Sequence, residues 1–125
     1  MRIENAELRN INIQERTFTF ARRIVKLYTF LVKQGGAGKV LASQILRSGT
    51  SIAANLEEAD AGESKADFIH KCNIALKEAR ETHFWLRLFE AEVIISPKRI
   101  ADLIQECNEI IAIITTIIKN SKQKA

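Results

Sequence analysis

The isoleucine-rich segment from Ile100 to Ile118 constrains the fold more than any other feature of this sequence. Its β-branched residues favour a strand by composition. Their spacing favours a helix, because the apolar positions recur every three or four residues and keep one helical phase throughout. These positions are Ile100, Leu103, Ile104, Cys107, Ile110, Ile111, Ile114, Ile117 and Ile118. We therefore predict one long helix here.

Three further amphipathic segments precede this one. The glycines of "GGAG", residues 35–38, end the first of these segments. Ser64 is the predicted N-cap of the third helix, and Ser96 is the predicted N-cap of the fourth, with Pro97 in its first turn. Four helices with short connections predict an all-α protein, an antiparallel up-down four-helix bundle. The predicted helices cover about 14–34, 39–61, 64–93 and 97–120, in a single domain over 1–125 whose ends, 1–13 and 121–125, fray.

The charged residues segregate along the chain, whose net charge is +4. From Arg16 to Leu56 there are seven basic residues and no acid, whereas from Glu57 to Asp67 there are five acids and one lysine. Such segregation steers a polyanion towards one side of a molecule, and a solvated surface of uneven charge is the alternative. The predicted nucleic-acid-binding residues lie on the outer face of the first helix and at the start of the second: Arg22, Arg23, Lys26, Lys33 and Lys39.

The second helix has few charges on its polar side, where Arg47 is the only one between Val40 and Leu56. We predict that protein covers this helix on two sides; an exposed, weakly polar face is the alternative. A tight turn near residue 62 would bring together residues of the second and third helices whose numbers sum to about 125. This relation predicts an Arg47–Glu78 ion pair and an Asn55–Lys71–Glu58 cluster. The predicted buried polar network comprises Arg47, Ser51, Asn55, Glu58, Lys71 and Glu78.

The apolar arc of the fourth helix is wider than the roughly 100° that a simple surface helix needs. This width predicts that the helix contacts more than its own bundle. The predicted subunit interface comprises Ile110, Ile113, Ile114 and Ile117.

No catalytic, metal or cofactor site is predicted. "GGAGKV" departs from the Walker pattern at Lys33 and Val40, and a di-iron bundle needs two Glu-x-x-His motifs where this chain has only Asp67-x-x-His70. We interpret the two cysteines as reduced core residues. Tyr28 and Trp85 either stack on an unpaired base or, as aromatic residues at helical spacing more commonly do, close a core or interface.

The polar N-terminus and the short apolar runs predict a cytoplasmic protein without a membrane span. The absence of any visible constellation of reacting groups predicts that it is not an enzyme. Two functions remain as hypotheses. One is an oligomer that binds RNA or DNA, and the alternative is a scaffold that docks a larger protein.

Residues 44–88 resemble the bacterial four-helix-bundle proteins called 23S rRNA intervening-sequence proteins, and the resemblance extends over about Gln14 to Asn120. The matching positions are Gln44, Arg47-Ser48, Ser51-Ile52, Ala54-Asn55, Glu58-Ala59, Ser64, Asp67-Phe68, Lys71, Ala75-Leu76-Lys77-Glu78-Ala79, Glu81-Thr82 and Trp85-Leu86. Glu57 departs from the pattern, since a neutral or basic residue is common there. It adds an acid beside Glu58 and so argues against an RNA contact at that end.

The resemblance implies an up-down four-helix bundle, a ring-shaped homo-oligomer, specifically a pentamer, and no catalytic residues. It also implies a relation to the accessory protein of diversity-generating retroelements, which binds nucleic acid and a reverse transcriptase. A reverse transcriptase is therefore one larger enzyme that a scaffold of this kind would dock.

Overall fold

The structure is a computed structural model and describes the backbone of residues 2–124 and the side chains of residues 13–124. It contains four α-helices and, over residues 2–124, no strand, which confirms the predicted fold class. Over the same residues, no helix has a stretch that is both long and apolar enough to cross a membrane. The helices are α1 (Arg2–Gln34), α2 (Gly36–Asp60), α3 (Lys65–Ala91) and α4 (Pro97–Gln123).

The helix boundaries differ from the predicted ones at several ends. α1 begins at Arg2 rather than near residue 14, because residues 2–13 include no glycine or proline to break a helix. α2 begins at Gly36 rather than 39, α3 ends at Ala91 rather than 93, and α4 continues to Gln123 rather than 120. The predicted fraying of 1–13 and 121–125 stays a prediction. Met1, Ala125 and the side chains of 2–12 lie outside the described residues.

The glycine, Ser64 and Pro97 signals for the helix ends are confirmed, whereas Ser96 stands at the N-cap position of α4 without a side-chain capping hydrogen bond. Gly35 lies between α1 and α2 and Gly36 begins α2, with φ values of 78° and 59°, in the left-handed region that glycine adopts without strain. The Ser64 hydroxyl accepts a hydrogen bond from the backbone nitrogen of Asp67 at 3.0 Å, which caps α3. Pro97 is the first residue of α4, where its missing N–H leaves no helical bond unmade.

Each helix packs against the next along the chain, and α4 packs back against α1 less closely. Among the described residues α1 and α3 are not packed together, nor are α2 and α4, so each pair lies on a diagonal of the bundle. Helices α2 and α3 are antiparallel, since Glu58 pairs with Lys71 and Arg47 with Glu78. Helices α1 and α4 are antiparallel as well, since Arg16 pairs with Glu106 and Phe30 contacts Arg99. The close approaches of Gly38 to Leu31 and of Gly49 to Ile24 show the same for α1 and α2. The predicted antiparallel up-down arrangement is therefore confirmed.

A glycine sets the spacing of the first two helices. A Cβ atom at Gly49 of α2 would lie 2.8 Å from two side-chain carbons of Ile24 in α1, closer than van der Waals contact. Ile24 is fully buried, so it has no free space into which to move. The backbones of α1 and α2 approach at this distance only because position 49 has no side chain.

The two cysteines are reduced and buried, as predicted. Burial raises the pKa of Cys72 to about 11 and the pKa of Cys107 to about 12, so neither thiol is a ready nucleophile. Within the described part of the chain, no three His, Cys, Asp or Glu side chains cluster closely enough to hold a metal ion.

Candidate nucleic-acid interface

The outer face of α1 carries the basic residues that the sequence predicts as nucleic-acid contacts. Arg22, Lys26 and Lys33 are exposed, and Arg23 is half-buried on the flank of this face. Lys39 is exposed in the first turn of α2. We refer to these five residues as the α1 basic surface.

Ion pairing distinguishes these five from the other two basic residues between Arg16 and Arg47. Arg16 binds two acids of α4, with its Nη2 atom 2.6 Å from Glu106 and 2.8 Å from Glu109. The hydrogen bond from Arg16 holds the pKa of Glu109 below its ordinary value. Arg47 is likewise paired with acids of α3. The five residues of the α1 basic surface form no ion pair with any side chain of residues 13–124.

Arg99 extends the α1 basic surface onto α4, which the sequence analysis missed. Its guanidinium carbon lies 4.6 Å from the ring centroid of Phe30, a cation–π contact between α4 and α1. Phe30 lies one turn from Lys26 and one turn from Lys33 along α1. In the sequence, Arg99 belongs to the "SPKR" segment that marks the start of α4, and nothing in that segment indicates a contact with Phe30.

Two exposed apolar residues lie on the same side of α1. Phe18 and Val25 are seven residues apart, two turns of the helix, and both are about half exposed. A basic face with exposed apolar side chains suits either an unpaired base or an apolar protein segment.

The predicted polar contacts between α2 and α3 are present in part. The Nη1 atom of Arg47 lies 3.1 Å from Glu78 Oε1, and the Nζ atom of Lys71 lies 2.7 Å from Glu58 Oε1. The structure therefore contains the predicted Arg47–Glu78 ion pair and the Lys71–Glu58 half of the predicted cluster. We refer to this region as the α2–α3 junction.

Asn55 and Ser51 form no described hydrogen bond with the side chains of the Arg47–Glu78 or Lys71–Glu58 pair. The Asn55 side-chain amide donates to the carbonyl of Ser51 at 2.8 Å, and the Ser51 hydroxyl donates to the carbonyl of Arg47 at 2.6 Å. Both bonds stay within α2, as is common for short polar side chains on a helix. The predicted contact between Asn55 and Lys71 is therefore wrong, since the Asn55 side chain bonds to its own helix.

The predicted polar network of α2 and α3 is partly exposed in the single chain, whereas the prediction was that it is buried. The side chain of Arg47 is 50% exposed and that of Glu58 is 59% exposed, because these long side chains extend outwards from the helices. The buried polar contact at the junction is instead between the hydroxyls of Ser48 and Thr82, which lie 2.9 Å apart. That a second protein layer covers the network stays a prediction.

Glu81 joins Arg47 to an aromatic pair on α3. Its carboxylate accepts hydrogen bonds from Arg47 and, at 3.1 Å, from the indole nitrogen of Trp85. These bonds, with that of Arg47 the stronger cause, hold the pKa of Glu81 below its ordinary value. The rings of Trp85 and Phe84 pack edge to face with centroids 5.0 Å apart. Trp85 and Tyr28 both pack against the core, which is the commoner role of aromatic residues at helical spacing, and not the alternative of stacking on a base.

Two of the four residues predicted at a subunit interface belong to the core of their own chain. Ile110 and Ile114 are fully buried, because they lie at the centre of the apolar arc of α4. This corrects the prediction for both residues. Ile113 and Ile117 lie at the margins of the arc and are half-buried against the same core, so their place in an interface stays a prediction.

Comparison with known proteins identifies the family. A solved structure of a protein of unknown function from the S23 ribosomal protein family of Bacteroides thetaiotaomicron is 42% identical, with a TM-score of 0.82. The match covers 89% of this chain and 98% of the other. No curated protein matches this chain. The family profile of the 23S rRNA-intervening sequence protein matches residues 9–116, so this chain belongs to that family, as the resemblance over residues 14–120 predicted.

Proposed function

We propose that this chain is a non-catalytic cytoplasmic protein that binds nucleic acid through the α1 basic surface. The observation that supports this most is the selective pairing of its cations. Arg16 and Arg47 are each neutralised by two acids, whereas the five residues of the α1 basic surface have no acidic partner among residues 13–124. Phosphates that bind such cations release condensed counterions, which favours association.

The family name supports RNA as the first ligand to test. It refers to an intervening sequence of 23S rRNA, and the Bacteroides thetaiotaomicron relative is assigned to a family named after a ribosomal protein. Arg99 adds a sixth cation beside Phe30, across the contact between α1 and α4. The acid-rich segment 57–67 lies at the far end of α2, away from Lys39.

We further propose that the chain assembles as a homo-oligomer, with the pentameric ring that the resemblance implies. The exposed stripe of α2 supports an interface, because from Val40 to Ala54 it carries a single charge, on Arg47, and Val40 is exposed. A ring would repeat the α1 basic surface around its circumference and multiply its field. Mass measurement in solution, with and without nuclease, tests this proposal, and a monomeric mass in both states contradicts it.

Fluorescence anisotropy with labelled RNA and DNA tests binding at about 50 mM salt, where electrostatic contacts are strong. We expect the triple variant Arg22→Gln, Lys26→Gln, Lys33→Gln to bind weakly. For single strands, the slope of log affinity against log salt should fall by about 0.7 for each phosphate that the variant no longer binds.

The matched control is Lys119→Gln, Lys122→Gln, Lys124→Gln, which removes the same charge from the end of α4. We expect this variant to retain most of the affinity. The proposal fails if neither RNA nor DNA binds at low salt. An equal loss in both triple variants would assign binding to net charge and not to the α1 basic surface.

The alternative function, a scaffold that docks a larger protein, is favoured by Phe18 and Val25. If docking is correct, the wild type retains one stoichiometric protein in a pulldown after nuclease treatment, and the variant Phe18→Ser, Val25→Ser does not. A reverse transcriptase is the first partner to test, as the resemblance implies. Nucleic-acid affinity that persists in this variant assigns the apolar pair to protein contact.

A further inference from the structure

The outer side of α3 carries a second row of cations, on the helix that lies diagonally from α1. Lys77, Arg80 and Arg87 are exposed at helical spacing, and Phe84 lies between the two arginines with 47% of its surface exposed. We refer to these four residues as the α3 ridge. Its three cations form no ion pair with the side chains of residues 13–124.

The acids nearest to the α3 ridge in sequence are paired with an arginine of α2 and not with the cations of the ridge. Glu78 and Glu81 are next to the ridge residues in sequence, yet both are paired with Arg47 of α2. Glu90, one turn beyond Arg87, is the next acid along α3 and lies past the end of the ridge. The exposed ring of Phe84 is therefore flanked by cations.

The ring of Phe84 is held in position by its neighbour. The indole of Trp85 is anchored to Glu81 by a hydrogen bond, and it packs edge to face against Phe84. A rotamer restrained in this way loses little conformational entropy when a ligand covers it. An exposed aromatic ring with a guanidinium one turn away on each side presents a stacking surface for a base and donors for the adjoining phosphates.

We propose that the α3 ridge binds single-stranded nucleic acid, with one unpaired base stacked on Phe84 and backbone phosphates at Arg80 and Arg87. The class of ligand rests on the proposed function, but the contact lies on a different helix. The two arginines are about 10 Å apart along the helix axis, at about 1.5 Å per residue. Paired bases are stacked inside a duplex, so the ridge selects single strands. A chain with both contacts holds nucleic acid on two sides.

Trp85 provides a direct test, because it is the only tryptophan in the chain and its ring lies 5.0 Å from that of Phe84. The experiment titrates the full chain with an unlabelled RNA of about 15 nucleotides, a length within the usual range for single-strand sites. Tryptophan emission and anisotropy of a labelled copy are recorded at about 50 mM salt. We expect the emission to be quenched with the same midpoint as the anisotropy.

Variants separate the ridge from the α1 basic surface. Phe84→Leu should weaken single-strand binding about tenfold and leave duplex binding unchanged, since stacking requires an unpaired base. Arg80→Gln with Arg87→Gln should reduce the salt slope by about 1.4, for two single-strand phosphate contacts. In the matched control Phe18→Leu, an exposed aromatic of α1, quenching of Trp85 should persist. Thermal melts of each variant confirm that the fold is retained.

The outcomes distinguish this inference from the proposed function. Binding by anisotropy with unchanged Trp85 emission overturns the ridge and leaves the α1 basic surface in place. The absence of any binding overturns both. If Trp85 emission changes on titration with polyglutamate but not with RNA, the α3 ridge is not a nucleic-acid site. That result assigns the ridge to binding of an acidic protein segment.

Discussion

The α2–α3 junction and the outer surface of α1 both place arginine and lysine side chains at the protein surface, yet only the junction supplies acids to pair with them. Arg47 and Lys71 bind Glu78, Glu81 and Glu58 from the facing helix. The α1 basic surface has no such partners among the described side chains. Charges at the junction therefore contribute to the register of two helices, whereas those of the α1 basic surface form no such pair with the described side chains.

The ion pairs at the junction are weak sources of stability, because their side chains are partly exposed. Surface pairs contribute about 0.2–1 kcal/mol each. The larger contribution at the junction comes from what it buries, including the Ser48–Thr82 contact. If this comparison is correct, substitutions at the junction change folding, and substitutions on α1 change binding.

The largest effect on folding is expected for Thr82→Val. The substitution keeps the side-chain volume but leaves the buried Ser48 hydroxyl without its partner, which should cost about 1–3 kcal/mol. Urea denaturation measures the free energy of unfolding. The matched control is Thr115→Val, whose exposed hydroxyl bonds only to its own helix at the carbonyl of Ile111. Equal losses in the two variants would contradict a special role for the buried contact.

Glu78→Ala should have a smaller effect, of about 0.2–1 kcal/mol, because Arg47 is half exposed and keeps Glu81 as a partner. A fully buried pair would cost about 3–5 kcal/mol when broken. The melting temperature and the mass in solution measure the outcome. Nucleic-acid affinity should not fall. An unchanged melting temperature and assembly would show that the ion pair is dispensable at the junction.

The next effect depends on pH and is centred on Glu81. Its hydrogen bonds from Arg47 and Trp85 lower its folded-state pKa, so the unfolded chain binds more protons in acid. The stabilisation is therefore present above the ordinary glutamate pKa of about 4.3 and is lost as the pH falls through the folded value.

Glu81→Gln should consequently show a flatter dependence of unfolding free energy on pH between about pH 3 and 6 than the wild type. Glu57→Gln is the control, since Glu57 forms no ion pair among the described side chains. A Glu81→Gln variant that keeps the full acid sensitivity of the wild type would show that other carboxylates cause it.

The smallest effect on folding is expected on α1. Arg22→Gln with Lys26→Gln relieves a like-charge pair four residues apart, so the free energy of unfolding should rise by about 0.2–0.5 kcal/mol or stay constant. The same protein should bind nucleic acid more weakly. A marked loss of stability would show that these cations have a partner in folding and would erase the contrast with the junction.

Helical phase and helix-ending residues made most of the fold predictable. Gly35, Ser64 and Pro97 correctly mark the three connections between the described helices. The start of α1 at Arg2 was missed because no comparable residue marks it, and a polar sequence without glycine or proline continues a helix as readily as it frays.

Contacts were predictable only where a short turn fixes the register. The turn between α2 and α3 predicted Arg47–Glu78 but not Glu81, since the rule is accurate only to about one turn. Arg99 and Phe30 lie on helices that are not consecutive in the chain, so no turn length relates them. Helical phase also does not say which positions of a wide apolar arc are covered by the chain's own core. Ile110 and Ile114 were misassigned for this reason, since both lie at the centre of the arc and are fully buried.

The missing side chain at Gly49 has an evolutionary consequence. The distance between α1 and its neighbour is set inside the bundle, where a glycine meets Ile24, and not by any residue on the outer face of α1. Mutations can therefore exchange the outward residues of α1 one at a time without rebuilding the scaffold. The packing of α1 and the composition of its outer surface can therefore change independently.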